Sequence, residues 1–222
     1  LREACLALGT PITGGNVSLY NEWRDGDATI AIPPTPTVGM VGKLDDVRRH
    51  ATLGLKGAGD QLLLLGWTHD ELSGSAYAAH LHGNETGPPP RCDLDLEARV
   101  QRATRELIAD GLVETAHDCS DGGLAITLAE MTLPHGVGLA ANVAAGADVN
   151  CSLAGMLFGE SAGRIVLAVP ARHEATVAAR LDASDVPWHV LGRSGGSDLV
   201  LRWNDARIRI PVETLRTAHE GT

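Results

Sequence analysis

The chain has 222 residues, of which 44% are hydrophobic and only 3% aromatic, and its formal net charge is −10. This charge argues against a general nucleic-acid or anionic-membrane binder, because neither surface attracts an acidic protein. The negative net charge is still compatible with binding of a phosphorylated substrate if backbone N–H groups and a metal neutralise the phosphate. Apolar runs such as residues 62–66 are far shorter than the ~20 residues of a membrane-spanning helix.

The cysteines and the first residues of the chain give further information on the class of protein. The four cysteines are widely spaced and form no C-x-x-C pair, which favours buried thiols in a cytoplasmic protein. The chain opens on Leu1 rather than Met, in what resembles the middle of a helix. We therefore expect it to be part of a longer protein.

The first 50 residues predict short elements around a hairpin. Residues 1–8 indicate the end of a helix that stops at Gly9. Residues 14–22 indicate a glycine turn followed by a strand, and residues 28–32 a returning strand that pairs with it. The proline-rich residues 33–36 form a stiff extended link, and a short strand is expected at residues 38–41.

The rest of the chain alternates between helix and strand patterns after a linker at residues 47–59, with the boundary near Gly57. The four leucines at 62–65 indicate a strand covered on both faces. Residues 93–110 form the clearest helix, and a helix begun by Asp70 or Ser73 precedes it. The other predicted elements are strands at 112–116, 137–143, 164–169, 188–191, 199–203 and 207–210, and helices at 124–133, 151–158, 172–181 and 212–219. The fold class is α/β (mixed α+β), with a sandwich-like second lobe.

Residues 11–22 contain the first candidate site. Gly14 and Gly15 let the backbone approach an anionic group closely. Asn16 offers an oxygen that Mg²⁺ accepts, and Ser18 lies two residues on, on the same face of a strand. The alternative is a glycine turn leading into an edge strand with a polar outer face.

Two further polar turns are candidates. His117 to Gly123 holds two carboxylates and a serine before a helix, although Ser120 or Asp121 could serve only as the helix N-cap. Glu160 could bind a metal or a hydroxyl, and Arg164 could pair with a phosphate. A solvated turn closed by a Glu160–Arg164 contact is the alternative. The histidines show no metal-ligand spacing, and the common NTPase and dinucleotide motifs are absent from the sequence.

Four segments carry a family resemblance. Residues 15–22, Gly-Asn-Val-Ser-Leu-Tyr-Asn-Glu, and residues 34–42, Pro-Thr-Pro-Thr-Val-Gly-Met-Val-Gly, resemble the synthetase subunit of phosphoribosylformylglycinamidine synthase. Residues 116–125 and 157–161 match its later motifs in order and spacing. The turn at 118–123 is shared more loosely with a superfamily that includes aminoimidazole ribonucleotide synthetase and selenophosphate synthetase.

This resemblance implies an organisation in two parts. Residues 1–50 would be the C-terminal part of a second ATP-binding lobe, and residues 58–222 a second C-terminal lobe of the aminoimidazole ribonucleotide synthetase-like superfamily. The catalytic residues would lie upstream of Leu1. His117, Asp121 and Glu160 could line a second nucleotide site, but the resemblance supports that role weakly.

The implied reaction is a step of de novo purine biosynthesis in the cytoplasm. An ATP-dependent ligase of this family converts formylglycinamide ribonucleotide (FGAR) and glutamine-derived ammonia to formylglycinamidine ribonucleotide. By resemblance, Gly15 contacts ATP, Asn16 ligates Mg²⁺ and Ser18 contacts the substrate. The partners would be a glutaminase subunit, a small accessory subunit and the rest of the same chain. The alternatives are another ATP-dependent enzyme of the superfamily, such as aminoimidazole ribonucleotide synthetase, and a non-catalytic nucleotide-binding scaffold.

Overall fold

The computed structural model describes residues 1–17, 21–32, 35–83 and 86–221. The chain divides into two compact units, Leu1–Val47 and Arg48–Thr222. Residues 48–57, which the sequence indicates as a linker, belong to the larger unit. There the Leu55 N–H donates to the Met131 carbonyl at 2.9 Å, and the Leu55 side chain is fully buried.

The smaller unit contains one helix and one hairpin. Helix α1 (Arg2–Leu8) ends at Gly9, whose φ of 65° is left-handed, so the predicted helix stop is confirmed. Strands β1 (Glu22–Asp25) and β2 (Ala28–Ala31) pair antiparallel, with Trp23 opposite Ile30. The predicted hairpin is therefore confirmed, and its first strand continues to Asp25, beyond the predicted end at residue 22.

Two strand predictions in this unit are wrong. Residues 11–17 are irregular, so Asn16 does not lie in a strand, and residues 18–20 of the predicted strand lie outside the described residues. Residues 38–41 are also irregular, and Val41 is fully exposed. A strand needs a hydrogen-bonded neighbour. Among the residues described in this unit, the sheet contains β1 and β2 alone, so an extended pattern without a partner stays irregular.

The larger unit is built on a seven-stranded sheet. Its strands are β3 (Gln61–Leu65), β4 (Thr115–Asp118), β5 (Leu139–Asn142), β6 (Ile165–Val169), β7 (Trp188–Ser194), β8 (Asp198–Trp203) and β9 (Ala206–Pro211). Its helices are α2 (Ala76–His82), α3 (Leu94–Ala109), α4 (Gly123–Thr132), α5 (Leu153–Phe158), α6 (Glu174–Ala183) and α7 (Val212–Glu220), with a 3₁₀ turn at Ala171–His173. The strand order is β4-β6-β3-β7-β5-β8-β9. All pairings are antiparallel except β5 with β8.

Helices cover the sheet on both faces. Successive side chains of β3 alternate between two apolar clusters, because a strand has a period of two. Leu62 and Leu64 pack into the cluster with α4 and α5, and Leu63 and Leu65 into the cluster with α3 and α6. The mixed α/β class and the doubly covered leucine strand are thus confirmed. Among the described residues, no helix is both long and apolar enough to span a membrane.

Candidate functional site

The sheet register gathers three polar loops at one end of the larger unit. Asp118, the last residue of β4, lies opposite Ile165, the first residue of β6. Leu65, the last residue of β3, also lies opposite Ile165 on the other side. The loops that follow β3 and β4 and the loop that precedes β6 therefore meet at this edge. These loops contain most of the polar residues that the sequence marks as candidates in this unit.

Glu160 joins all three loops. Its Oε1 accepts the N–H of Gly122 at 2.8 Å and the N–H of Ala76 at 2.8 Å. Its own N–H donates to the Glu71 carbonyl at 3.1 Å. The carboxylate thus accepts backbone hydrogen bonds at the starts of α4 and α2, where N–H groups have no partner within the helix.

These contacts correct the predicted helix caps. Neither Ser120 nor Asp121 caps α4. Gly122 holds that position with a φ of 78°, and Glu160 supplies the acceptor from 38 residues away. Helix α2 is capped by Ser75, whose Oγ accepts the Ala78 N–H, rather than by Asp70 or Ser73. Asp70 instead accepts a hydrogen bond from the Ser152 hydroxyl at 2.6 Å.

Arg164 also holds these loops in place, and it is only 2% exposed. Its Nε donates to the Ser161 carbonyl at 2.9 Å and its Nη2 to the Gly159 carbonyl at 2.6 Å. Its Nη1 donates to Thr68 Oγ1 at 3.0 Å. Among the described ion pairs none joins Arg164 to Glu160, so the alternative of a turn closed by a contact between them is wrong. The Arg164 guanidinium is buried and donates its hydrogen bonds to protein oxygens, so it stabilises these loops. It is not accessible to a phosphate from solvent.

The two glycine-containing turns touch directly. Gly123 has a φ of 65°, and a Cβ built on it would lie 2.4 Å from the Gly159 carbonyl oxygen. The Cys119 N–H also donates to the Arg164 carbonyl at 3.0 Å. Only glycine therefore fits at position 123, because any side chain would push the turns apart.

The exposed rim of the site is acidic. Asp118 accepts a hydrogen bond from the Ser120 hydroxyl, and this bond lowers the pKa of the Asp118 carboxyl; nearby His117 lowers it further, while partial burial opposes the shift. His117 Nε2 lies 2.8 Å from Glu130 Oε2, and its Nδ1 lies 3.3 Å from Asp118 Oδ1. Such a rim accepts hydrogen bonds from hydroxyl or amino groups. No group of three His, Cys, Asp or Glu side chains within the described ranges is arranged to hold a metal ion.

The sequence missed the contribution of the loop after β3. His69 Nδ1 lies 2.7 Å from Asp148 Oδ2, and Glu71 Oε1 accepts the Arg91 N–H at 2.9 Å. The other carboxylate oxygen of Glu71 is buried without a hydrogen-bond partner among the described residues. The available signal was the polar run Thr-His-Asp-Glu at 68–71, which closely follows an all-leucine stretch.

The first predicted site lies in the smaller unit. Gly15 and Asn16 are both exposed and lie in the irregular segment, and Ser18 lies outside the described residues. A Cβ on Gly15 would meet nothing within 4 Å. The argument that Asn16 and Ser18 share a strand face is therefore wrong at Asn16, because no strand forms there.

Comparison with known proteins defines the class of this fold and its loops. Residues 57–204 match the family described as "AIR synthase related protein, C-terminal domain", and the chain belongs to that family. This match covers strands β3 to β8, helices α2 to α6 and all three loops of the site.

The chain is similar over nearly its whole length to one subunit of phosphoribosylformylglycinamidine synthase. It is 44% identical to phosphoribosylformylglycinamidine synthase subunit PurL of Deinococcus radiodurans, over 99% of this chain and 30% of the relative. It is also 44% identical to PurL of Thermobifida fusca, over 100% of this chain and 28% of the relative. The chain thus spans less than a third of the length of these relatives.

Solved structures show the same fold. PurL of Thermotoga maritima complexed with FGAR has a TM-score of 0.63 at 16% identity, over 75% of this chain and 29% of that chain. The complex of the same protein with ATP has a TM-score of 0.56 at 14% identity, over 75% and 27%. The structure of PurLQS from that organism has a TM-score of 0.59 at 16% identity, over 75% and 27%.

Proposed function

We propose that this chain is the C-terminal part of an ATP-dependent ligase of purine biosynthesis. The whole enzyme would convert FGAR, ATP and glutamine-derived ammonia to formylglycinamidine ribonucleotide, ADP and phosphate. The observation that carries this proposal is the 44% identity to PurL over 99% of the chain. T. maritima PurL, which shares the fold, has been solved with FGAR and with ATP.

The two units would have separate places in the whole enzyme. Residues 1–50 would complete a second ATP-binding lobe, and residues 58–222 would form the second C-terminal lobe. Because the chain covers only 30% of the relative's length, we propose that it has no turnover by itself. The remaining partners would be the rest of the longer chain, a glutaminase subunit and a small accessory subunit, in the cytoplasm.

We propose roles for three residues of the smaller unit. Gly15 would contact ATP, Asn16 would ligate Mg²⁺ and Ser18 would contact FGAR. A single neutral amide does not complete a magnesium site, since Mg²⁺ prefers about six oxygen ligands including carboxylates and phosphates. The described residues of this chain do not complete that site, so Asn16 would contribute one ligand among several.

A non-catalytic scaffold is the second candidate for the larger unit. Its support is that Glu160 and Arg164 are engaged with backbone groups of their own loops. In that case the unit would hold a nucleotide structurally and dock a partner. Another ATP-dependent enzyme of the superfamily is disfavoured by residues 15–22, which are specific to the PurL resemblance.

The test uses the full-length enzyme with Asn16→Ala, and Asn150→Ala, an exposed asparagine of the larger unit, as the matched control. ADP formation is measured with FGAR, ammonia and a series of Mg²⁺ concentrations. We expect Asn16→Ala to raise the Mg²⁺ concentration for half-maximal turnover by about tenfold or more, with an unchanged melting temperature. Equal Mg²⁺ dependence in both variants would contradict the metal role. Robust turnover by the 222-residue chain alone would contradict its assignment as one part of the enzyme.

A further inference from the structure

A cleft in the larger unit lies away from the three loops and has no part in the function proposed above. It is lined by residues 48–50, by Lys56 and by the segment that ends α3 and leads into β4, and it has a volume of about 220 Å³. We refer to it as the basic cleft. Its apolar walls are Ile108 and Val113, and Gly111 lies between them in the chain.

The basic cleft has the opposite charge to the chain as a whole. Arg48, Arg49 and Lys56 carry three positive charges, against the single carboxylate of Glu114. The whole chain has a net charge of −10. A concentration of cations in one concave surface of an acidic protein attracts anions locally, because the walls of a cleft focus the field.

Arg49 and Lys56 both have donors available to a ligand. The guanidinium of Arg49 lies against Gly111, where a Cβ would come within 2.1 Å of Nη1, and it makes no hydrogen bond or ion pair with any residue that the structure describes. Lys56 Nζ donates one hydrogen bond, to Thr52 Oγ1 at 3.1 Å. An ammonium has three donors, so two are left.

The end of α3 does not compete for these cations. Its last carbonyls are already paired: Leu107 accepts the Leu112 N–H at 3.0 Å, and Ile108 accepts the Gly111 N–H at 2.9 Å. The nearby carboxylate of Asp110 pairs with Arg180 at 2.9 Å. The negative end of the helix is thereby largely satisfied within the protein.

The size and the lining of the basic cleft select the chemistry of its ligand. Its volume is below the roughly 300–1,000 Å³ of pockets that enclose a drug-sized molecule. No Phe, Tyr or Trp side chain lines it, and the imidazole of His50 is the one ring among its lining residues. The cleft therefore lacks a large aromatic platform on which a base could stack. Arginine and lysine together are the usual partners of phosphate oxygens.

We propose that the basic cleft binds the phosphate or pyrophosphate group of a small anion, with Arg49 and Lys56 as its principal ligands and without recognition of a base. Arg49 contributes a planar fork of donors and Lys56 a point charge. A base or sugar attached to the phosphate stays outside the cleft.

The experiment titrates the 222-residue chain with inorganic pyrophosphate, ADP and adenosine, and follows its backbone amides by NMR. We expect saturable shifts of the amides of residues 49, 56 and 111 with pyrophosphate and ADP at affinities within threefold of each other, and none with adenosine. Shifts with adenosine, or ADP binding more than tenfold tighter than pyrophosphate, would overturn the phosphate-only recognition.

The variants are Arg49→Gln with Lys56→Gln, and Arg105→Gln as the control on the exposed side of α3. Arg49 and Lys56 are exposed, so we expect the double variant to keep the parent melting temperature. It should weaken pyrophosphate binding by about tenfold or more, while the control binds as the parent does. Unchanged binding by the double variant, or no saturable shift in the parent chain, would refute the site.

Discussion

Removing the side chain of Glu160 tests whether this residue holds the three loops together. In Glu160→Ala, the N–H groups of Gly122 and Ala76 lose their shared acceptor. Gly122 is buried, and leaving a buried N–H without a partner costs ~1–3 kcal/mol. Ala76 is exposed, and water can replace the carboxylate there at little cost.

The expected loss is therefore about 2 kcal/mol in the free energy of unfolding, which corresponds to a fall of ~4–8 °C in melting temperature for a domain of this size. Glu160→Gln keeps an oxygen acceptor but removes the charge. Neutral hydrogen bonds are roughly half as strong as charge-assisted ones, so we expect a loss of about 1 kcal/mol. Glu106→Ala, on the exposed face of α3, is the control and should stay within about 0.5 kcal/mol of the parent.

Urea denaturation measures the three free energies, and native-state hydrogen exchange follows the Gly122 amide. That amide should exchange faster in Glu160→Ala than in Glu106→Ala, because only the first substitution removes its acceptor. Equal stability of Glu160→Ala and the Glu106→Ala control would refute the reasoning. So would a glutamine variant as unstable as the alanine variant, since the retained oxygen would then be irrelevant.

Two further substitutions test the contact between the two turns and the acidic rim of the site. Gly123→Ala should destabilise the chain by about 1–3 kcal/mol more than Gly196→Ala in urea denaturation, because both have positive φ but only the Cβ at 123 meets the Gly159 carbonyl. Ser120→Ala should raise the pKa of Asp118 in a carboxyl NMR titration, because the hydroxyl is the largest cause of its lowered value.

The pH dependence of the serine variant has a defined sign. The Asp118 pKa is lower in the folded state than in the unfolded chain, so its stabilisation is present above the unfolded value and is lost as the pH falls through the folded one. Ser120→Ala should thus be less stable than the parent at pH 6 and approach it under strongly acidic conditions. A stability difference that is constant with pH would contradict the role of the hydroxyl.

For the two glycine substitutions, equal losses of unfolding free energy at positions 123 and 196 would show that the turns do not touch.

Local patterns in the sequence determined most of the larger unit. The leucines at 62–65 predict a strand covered on both faces, and all four are buried on alternating sides of the sheet. Helix α3 follows from the apolar stripe that contains Val100, Ala103 and Leu107, with Asp93 as its N-cap. Gly9 ends α1 because it adopts a left-handed conformation at low cost. Each of these features depends on neighbours within a few residues, so it can be read from sequence.

Residues distant in sequence decided the details of the site. The acceptor at the start of α4 comes from Glu160 rather than from the adjacent Ser120, and Arg164 reaches Thr68 across 96 residues. A local sequence pattern cannot distinguish a side chain that caps its own helix from one that forms hydrogen bonds with a loop distant in sequence. The strand expected at Asn16 failed for a related reason, because alternation predicts a strand only where a neighbour completes its hydrogen bonds. Sequence alone therefore determined most of the helices and strands of the larger unit, although β4 lies at Thr115–Asp118 rather than at the predicted 112–116. Only the tertiary structure decided which polar groups meet.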